Sequence, residues 1–327
     1  MKFSRRSGEQ RPIPLTILSG FLGAGKTTIL NRILSEERHR RVAVIVNELG
    51  RIDIDTKLIR SRAGDVVELA GGCVCHEVKT QEELWEALNE VTARTALDRV
   101  VLETTGIAEP QAIILGLAAL ADDRRPVFDD GVVTVVDGQS GCEQLERFSE
   151  ARSQVRAADR ILLSKLDVAP AQNLAQLHAL LTSLNRRVQR AAFPEGRAAT
   201  QALAAWLLDS KSGRVPFFPR DKARHHHTQL SVATFSDEAP LLAEPLLALC
   251  EELGTRLVRA KGFVNVEGES RQGFLERAGC SMSLRFDNTW PAGPRRSELV
   301  FIGEGIDANL LTLRLRSMQV APAVLRV

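Results

Sequence analysis

The sequence has no tyrosine, and its five cysteines are few and odd in number for a chain of 327 residues. A sparse, odd set of cysteines is a poor disulfide framework, which excludes a small disulfide-stapled fold. Long hydrophobic runs are missing too: the longest, residues 112–121, is about half as long as a membrane-spanning helix. Residues 1–14 are polar and basic, unlike a secretory signal. We therefore expect a cytoplasmic protein with no membrane partner.

A large excess of charge of either sign is also lacking, because 43 Lys and Arg accompany 41 Asp and Glu, for a formal net charge of +2. This near balance argues against a dedicated nucleic-acid-binding protein. Hydrophobic residues at 44% and charged residues at 26% are typical of globular proteins and argue against disorder, collagen and coiled coil. The length predicts about two domains.

The first two thirds of the chain alternate between strand-like and helix-like segments. Several strand-like segments are near-continuous runs of Val, Ile and Leu, which are typical of strands covered on both faces. The alternation predicts an α/β fold with a mainly parallel sheet and helices on both of its faces. The expected strands are 14–19, 41–47, 65–69, 99–103, 131–136 and 158–164, and the clearest helices are 26–35, 80–95 and 169–185.

The pattern changes near residues 210–228, a stretch that contains Gly213, Pro216, Pro219, several basic residues and three consecutive histidines, 225–227. Beyond it, the strand-like and helix-like segments predict a small α+β domain. Its expected strands are 229–236, 262–267, 280–288 and 298–303, and its expected helices are 240–259 and 307–316. We therefore divide the chain into a flexible tail at 1–13, a first domain at 14–212, a linker at 213–228 and a second domain at 229–327.

Residues 20–27 read Gly-Phe-Leu-Gly-Ala-Gly-Lys-Thr and match the phosphate-loop pattern G-x-x-x-x-G-K-[ST] in full. An apolar strand precedes the pattern and a helix follows it. The glycines let backbone N–H groups face the phosphates, and the helix adds its dipole. We expect Lys26 to reach the β- and γ-phosphates and the Thr27 hydroxyl to bind Mg²⁺. The nucleotide-binding residues expected here are Gly20, Gly23, Ala24, Gly25, Lys26, Thr27 and Thr28.

Ser164-Lys165-Leu166-Asp167 ends a strand on the side where α/β proteins bind ligands. A carboxylate at Asp167 can accept hydrogen bonds from both N1–H and the 2-amino group of guanine, a donor pair that adenine lacks. The stem of Lys165 can lie across the base. Beside a phosphate loop, this segment predicts GTP as the nucleotide and Ser164, Lys165 and Asp167 as base-binding residues; in isolation it would fit a plain surface loop.

Two further strand ends carry acidic residues. Glu103-Thr-Thr-Gly106 follows a strand, and Glu103 can hold a water on Mg²⁺ or polarise the attacking water, the alternative being a plain strand-end glutamate. Gly106 lets the backbone approach the γ-phosphate and sense hydrolysis. We expect a first switch loop after Asn47, with Glu48 facing the metal region. The predicted catalytic residues are Lys26, Glu103 and Gly106, and the predicted Mg²⁺ site is Thr27, Glu48 and Glu103.

The segment Gly71-Gly72-Cys73-Val74-Cys75-His76-Glu77 follows another strand that should end near the nucleotide. Thiolate and imidazole suit Zn²⁺ and also bind Co²⁺ or Cu. Three ligands, Cys73, Cys75 and His76, are one fewer than a structural zinc site uses, which leaves the open position that transfer needs. A redox pair or a chance pair of cysteines is the alternative.

The remaining thiols and the histidine run carry weaker signals. Cys142, Cys250 and Cys280 are isolated in the sequence, and we interpret them as ordinary core or surface residues. Histidines 225–227 either bind metal weakly or form a solvated polar tract, and both interpretations stay open.

Together, these motifs resemble the CobW-type family of metal-handling GTPases, which includes cobalamin-biosynthesis accessory proteins, nitrile hydratase activators and zinc-transfer GTPases. The resemblance extends into the second domain through Arg259-Ala-Lys-Gly-Phe263 and residues 298–303. His76 stands where the family usually has a third cysteine, so we expect the metal preference to differ from that of an all-thiolate site. Ser164 stands where the guanine motif often has asparagine, which bears on affinity.

The motifs and the resemblance together imply a Mg²⁺-dependent GTPase that binds Zn²⁺ or a similar transition metal at Cys73, Cys75 and His76 and passes it to a client metalloprotein. GTP would order the loops after Asn47 and Leu69, and hydrolysis would release the metal. A GTP-regulated metal reservoir and an assembly factor with structural cysteines are the alternatives. The sequence leaves open whether the chain also forms a homodimer.

Overall fold

The computed structural model describes residues 12–37, 39–47, 66–69, 78–94, 97–119, 126–186, 188–193, 197–208, 230–278 and 281–319. Several segments singled out above lie outside these residues. They are the tail, the linker with histidines 225–227, Glu48, Cys280, and the motif that contains Cys73, Cys75 and His76. Among the described residues, no helix has both the length and the apolar character needed to cross a bilayer.

Seven strands of the first domain form one sheet: β1 (Ile13–Gly20), β2 (Val42–Asn47), β3 (Val66–Leu69), β4 (Arg99–Glu103), β5 (Val127–Asp137), β6 (Arg160–Ser164) and β7 (Gln189–Ala192). Their order is β3-β2-β4-β1-β5-β6-β7, and all neighbours are parallel. Every residue of β4 and β6 is buried, as expected for a parallel sheet covered on both faces. Because the strands share one direction, their carboxyl ends form a single edge where ligands bind.

Within the part of the first domain that the structure describes, seven helices accompany this sheet: α1 (Lys26–Glu36), α2 (Val78–Arg94), α3 (Pro110–Ala119), α4 (Gly141–Arg147), α5 (Ser149–Ala157), α6 (Ala171–Leu184) and α7 (Arg197–Leu208). Because successive side chains of β1 point to opposite faces of the sheet, the core has one apolar layer on each face. Leu15 and Ile17 pack with Leu84 of α2 on one face of the sheet. Leu18 packs with Ile29 of α1 on the other.

The second domain has five strands: β8 (Leu230–Asp237), β9 (Leu257–Val264), β10 (Gln272–Ala278), β11 (Ser281–Asn288) and β12 (Ser297–Glu304). They form an antiparallel sheet in the order β11-β10-β9-β12-β8. Helices α8 (Ala243–Glu252) and α9 (Ala308–Ser317) cover one face of it. Asp307 caps α9 by accepting hydrogen bonds from the N–H groups of Asn309 and Leu310.

The other face of the second sheet packs against the first domain. Phe21 and Leu22, which lie in the phosphate loop, belong to the same apolar cluster as Val258, Val300 and Ile302 of the second domain. This contact places β9, β10 and β12 over the loop that follows β1.

The predicted fold class is confirmed: an α/β P-loop domain with a parallel sheet precedes a small α+β domain. The predicted helix over 240–259 is wrong at its end, because α8 stops at Glu252 and β9 begins at Leu257. Gly254, with φ of 55°, turns the chain between them. The strand expected at 262–267 therefore lies too far along the chain. Strand β10 was not predicted, although polar and apolar residues alternate in it.

Candidate nucleotide-binding site

Two glycines shape the loop between β1 and α1. Gly20 has φ of 144°, and a Cβ at this residue would lie 2.4 Å from the carbonyl oxygen of Val135, so no side chain fits. Gly25 has φ of 91° and precedes the first turn of α1. The sequence pattern therefore has a direct backbone cause, because only glycine takes both conformations without strain.

Lys26 lies inside this loop and is only 6% exposed. Its ammonium donates hydrogen bonds to the carbonyl oxygens of Gly20 (2.7 Å) and Phe21 (3.4 Å). The loop thus holds a buried cation at the start of a helix, where the helix dipole adds further positive potential. This arrangement suits an anionic phosphate.

The Thr27 hydroxyl donates a hydrogen bond of 2.7 Å to Oε1 of Glu103. The two residues meet because β1 and β4 are neighbours in the sheet and Glu103 ends β4. Glu103 is 3% exposed. A hydroxyl and a carboxylate are the hard oxygen donors that Mg²⁺ prefers, so this pair fits the predicted metal.

Gly106 follows Glu103 at the same edge and leaves no room for a side chain. A Cβ at this residue would lie 2.8 Å from the Cα of Leu22. Its carbonyl oxygen accepts a hydrogen bond from Nε2 of Gln154 at 3.0 Å. The backbone of Gly106 is thereby fixed against the phosphate loop.

Ser164 lies at the end of β6, and its side chain points toward the phosphate loop. Its hydroxyl donates a hydrogen bond of 2.8 Å to the carbonyl oxygen of Ala24. The residue is buried, so Ser164 ties the predicted base-binding segment to the phosphate loop. Asp167 lies three residues further on, in an exposed turn at the same edge of the sheet.

Lys165 has φ of 53° and is the only residue other than glycine with positive φ among those that the structure describes. Its ammonium lies 2.7 Å from Oδ2 of Asp137, at the end of β5. Oδ1 of Asp137 accepts hydrogen bonds from the backbone N–H groups of Gln139 and Ser140. Asp137 was not predicted; an acidic residue at the end of an apolar strand was the available signal.

A cavity of about 280 Å³ lies over the phosphate loop. The first domain lines it with residues of that loop, with the segment from Glu103 to Gly106 and with Lys165. The second domain supplies further lining residues, which the sequence analysis did not assign to the site: Arg259, Lys261, Glu276, Ala278, Ser281, Ser283, Val300 and Ile302. Four cations and two carboxylates therefore line the cavity, which favours an anionic ligand.

The predicted transition-metal ligands lie outside the described residues, and within those residues no group of three His, Cys, Asp or Glu could hold a metal ion. Strand β3 ends at Leu69, opposite Asn47 of β2, at the same sheet edge as the phosphate loop. Burial raises the pKa of the Cys142 thiol, and that of Cys250 to about 11. Neither thiol is therefore predisposed to be a thiolate ligand.

A parallel sheet whose first strand runs into a phosphate loop, with Lys26 inside the loop and Thr27 bonded to Glu103, defines the class of P-loop nucleoside triphosphatases. The sequence agrees with one family of that class. The family model described as "CobW/HypB/UreG, nucleotide-binding domain" matches residues 14–191. The model described as "Cobalamin synthesis protein cobW C-terminal domain" matches residues 230–319. The chain belongs to this family.

Similar proteins were found among both sequences and structures. The "Zinc chaperone YjiA" of Escherichia coli (strain K12) is 32% identical over 303 residues, covering 89% of this chain and 94% of the relative. The "Zinc-regulated GTPase metalloprotein activator 1" of Schizosaccharomyces pombe is 34% identical over 188 residues, which cover 53% of this chain and 44% of the relative. A crystal structure of Zn(II)-bound YjiA GTPase from E. coli has 26% identity and a TM-score of 0.45, covering 95% of this chain and 100% of that one.

Proposed function

We propose that this chain is a GTP-dependent metallochaperone that carries Zn²⁺ to a client metalloprotein. One observation carries the proposal. The phosphate loop, with Lys26 and the Thr27–Glu103 pair, shares one sheet edge with the end of β3. Leu69 ends β3 and precedes Cys73 by four residues in the sequence. The strand that leads into the predicted metal-binding segment therefore ends at the sheet edge that carries the nucleotide site.

The nucleotide site has a group for each part of GTP. Lys26 and the backbone N–H groups of the loop bind the phosphates, and Asp167 accepts hydrogen bonds from guanine while Lys165 covers the base. Thr27 and Glu103, with Glu48, would hold Mg²⁺, which neutralises phosphate charge when bound. Glu103 would hold a water on Mg²⁺ or polarise the attacking water, and Gly106 would sense the loss of the γ-phosphate.

Zinc is the cargo in this proposal. Cys73, Cys75 and His76 supply two thiolates and one imidazole, and the open fourth position accepts a ligand from the client. Asn47 and Leu69 are paired, so β2 and β3 end side by side. We propose that GTP orders the loops after these two strands and closes the metal site, and that hydrolysis opens it.

The relatives support zinc as the metal, because the E. coli protein that is 32% identical to this chain is named a zinc chaperone. A "Zinc chaperone CobW" of Pseudomonas aeruginosa is 29% identical over 350 residues, covering 93% of this chain and 91% of the relative. A reducing cytoplasm, where free thiols persist, is part of the proposal.

Zinc competition against a chromogenic chelator tests the proposed ligands. With Mg²⁺ and a non-hydrolysable GTP analogue bound, Cys73→Ser combined with Cys75→Ser should weaken zinc binding by more than the roughly 10- to 100-fold that loss of an outer-shell partner costs. Cys142→Ser is the matched control, since burial raises the pKa of that thiol and its Sγ contacts the carbonyl oxygen of Asn173. An unchanged zinc affinity in the double variant would show that the ligands lie elsewhere.

Transfer itself is tested by following zinc release to the chelator during a single turnover of GTP. Release that keeps pace with hydrolysis supports a chaperone. A reservoir would retain its zinc and turn over negligibly, and an assembly factor with structural cysteines would keep its activity after chelation.

A further inference from the structure

The second domain forms one wall of the nucleotide cavity. Along β9 and β10, side chains alternate between the two faces of the sheet. Ala260 and Leu275 pack in the core beneath α8 and α9, whereas Lys261 and Glu276 line the cavity over the phosphate loop. Two charged residues of the second domain, Lys261 and Glu276, thus face the nucleotide site, although the phosphate-loop motif lies entirely in the first domain.

Strand β10 touches the phosphate loop directly. A Cβ added to Gly23 would lie 2.4 Å from the Cβ of Ala278, so Ala278 lies against that glycine. Across the sheet, Ala278 pairs with Arg259, and Glu276 pairs with Lys261. Lys261 therefore lies on the same face of the sheet as Arg259, two residues further along β9 from the contact between Ala278 and the phosphate loop.

Lys261 lies on the side of the loop where Thr27 is. It lines the 280 Å³ cavity and also a neighbouring cavity of about 800 Å³, and Thr27 and Thr28 line both. Thr27 is the residue bonded to Glu103, at the place predicted for Mg²⁺ and the terminal phosphate.

Lys261 is unusual among lysines because it is only 6% exposed. Its ammonium lies 6.0 Å from the centre of the Phe274 ring, an aromatic face that also attracts cations. Removing a lysine from water is costly unless anions surround it. Glu276, the cross-strand neighbour of Lys261, lines the same cavity, and the phosphates of a nucleotide would add further negative charge beside the ammonium.

We infer that Lys261 contacts the terminal phosphate of bound GTP, so that the second domain supplies a cation to the hydrolytic site. The inference rests on the proposed function, which makes GTP the nucleotide. A buried ammonium and a phosphate form a charge-assisted hydrogen bond. GDP has no γ-phosphate, so it forfeits this contact. Lys261 thereby makes the second domain a sensor of whether the nucleotide is a triphosphate.

Equilibrium binding of a non-hydrolysable GTP analogue and of GDP, both with Mg²⁺, tests the contact in the full chain. Lys261→Met keeps the aliphatic stem and removes the charge. It should weaken binding of the analogue roughly 10- to 100-fold while changing GDP affinity little. Lys261→Arg should restore most of the preference. Arg314→Met, which removes a positive charge from α9 on the opposite face of the second sheet, should change neither affinity.

A second variant separates nucleotide contact from a merely structural role. If Lys261 serves only to balance Glu276, the charge-neutral pair Lys261→Met with Glu276→Gln should regain both thermal stability and the preference for the GTP analogue. On the present inference it regains stability but not the preference. A recovered preference, or an unchanged preference in Lys261→Met alone, would overturn the inference.

The same titrations distinguish this inference from the proposed function. A wild-type chain that binds and hydrolyses GTP, together with an unaffected Lys261→Met variant, refutes the contact and leaves the metallochaperone proposal intact. A wild-type chain that does not prefer GTP over ATP refutes GTP as the nucleotide of the proposed function, whereas a selective loss of triphosphate binding in Lys261→Met still supports the contact.

Discussion

The ammonium of Lys165 lies 2.7 Å from Oδ2 of Asp137, and this ion pair joins the ends of two neighbouring strands, β6 and β5. Lys165 has a left-handed backbone conformation that costs energy for a residue with a side chain. Asp137 also accepts hydrogen bonds from two backbone N–H groups of the turn that follows β5. One buried carboxylate therefore holds Lys165, the lysine that we propose covers the base, in a fixed position.

Asp137→Asn should weaken GTP binding about tenfold, because the amide keeps an acceptor for the turn but loses the charge that holds Lys165. Titration with a fluorescent GTP analogue measures the effect. Glu143→Gln makes the same change of charge in an exposed residue of α4 and should leave affinity unchanged. Equal affinities for Asp137→Asn and wild type would mean that Lys165 needs no support from β5.

Asp167→Asn should reverse the hydrogen-bonding polarity of the base site. Guanine presents an amino group at position 2, whereas xanthine presents a carbonyl oxygen there, which the asparagine N–H can meet. GTP affinity should fall and XTP affinity should rise, by roughly 10-fold or more in their ratio. Competition of GTP, XTP and ATP for one fluorescent probe provides the measurement, and an unchanged ratio would place base recognition at another residue.

Glu103→Gln should separate binding from hydrolysis. Glutamine can still accept the hydrogen bond from Thr27 and keeps an oxygen donor for Mg²⁺, so nucleotide affinity at saturating Mg²⁺ should stay close to that of wild type. Loss of the carboxylate should slow single-turnover GTP hydrolysis by about 100-fold or more, the lower end of what a general acid–base group contributes. A variant that hydrolyses GTP at the wild-type rate would reduce Glu103 to a plain strand-end residue.

Arg99 tests the stability of the sheet at the end remote from the nucleotide. It is 2% exposed, pairs with the buried Asp130 and donates a hydrogen bond to Thr16. Arg99→Met should lower the free energy of unfolding by about 3–5 kcal/mol, because the buried carboxylate of Asp130 then loses the guanidinium that it pairs with.

The control for Arg99 is a double variant. Adding Asp130→Leu to Arg99→Met should recover most of the lost stability, because no charge is then left inside. Urea denaturation measures both variants. GTP affinity should be unaffected well below the unfolding transition, since Arg99 begins β4 and Glu103 ends it. A double variant as unstable as the single one would contradict this account.

Features that depend on consecutive residues could be predicted from the sequence. The phosphate loop occupies eight consecutive residues between a strand and a helix, so its pattern fixes both the local fold and the role of Lys26. Strand β4, buried at every residue, matches its expected bounds for the same reason. Parallel pairing then brings Glu103 to Thr27, which the strand-end rule anticipates.

Features that depend on distant contacts could not be predicted. Ser164 was assigned to the base, yet its hydroxyl bonds to Ala24, and only the packing of β6 beside the loop decides that direction. Arg259 and Lys261 reach the nucleotide cavity because β9 packs over a loop more than 200 residues earlier in the chain. The local sequence contained one indication of this contact: two basic residues, Arg259 and Lys261, alternate with apolar residues in β9.

The packing of Phe21 and Leu22 against Val258, Val300 and Ile302 also restricts how this family can recombine. Phe21 and Leu22 occupy positions that the phosphate-binding pattern leaves unspecified, and here the second domain constrains them. A chimera that joins this first domain to a relative's second domain must exchange these loop residues together with the sheet that covers them. The two domains of this chain are thus matched at their contact, although each has a core of its own.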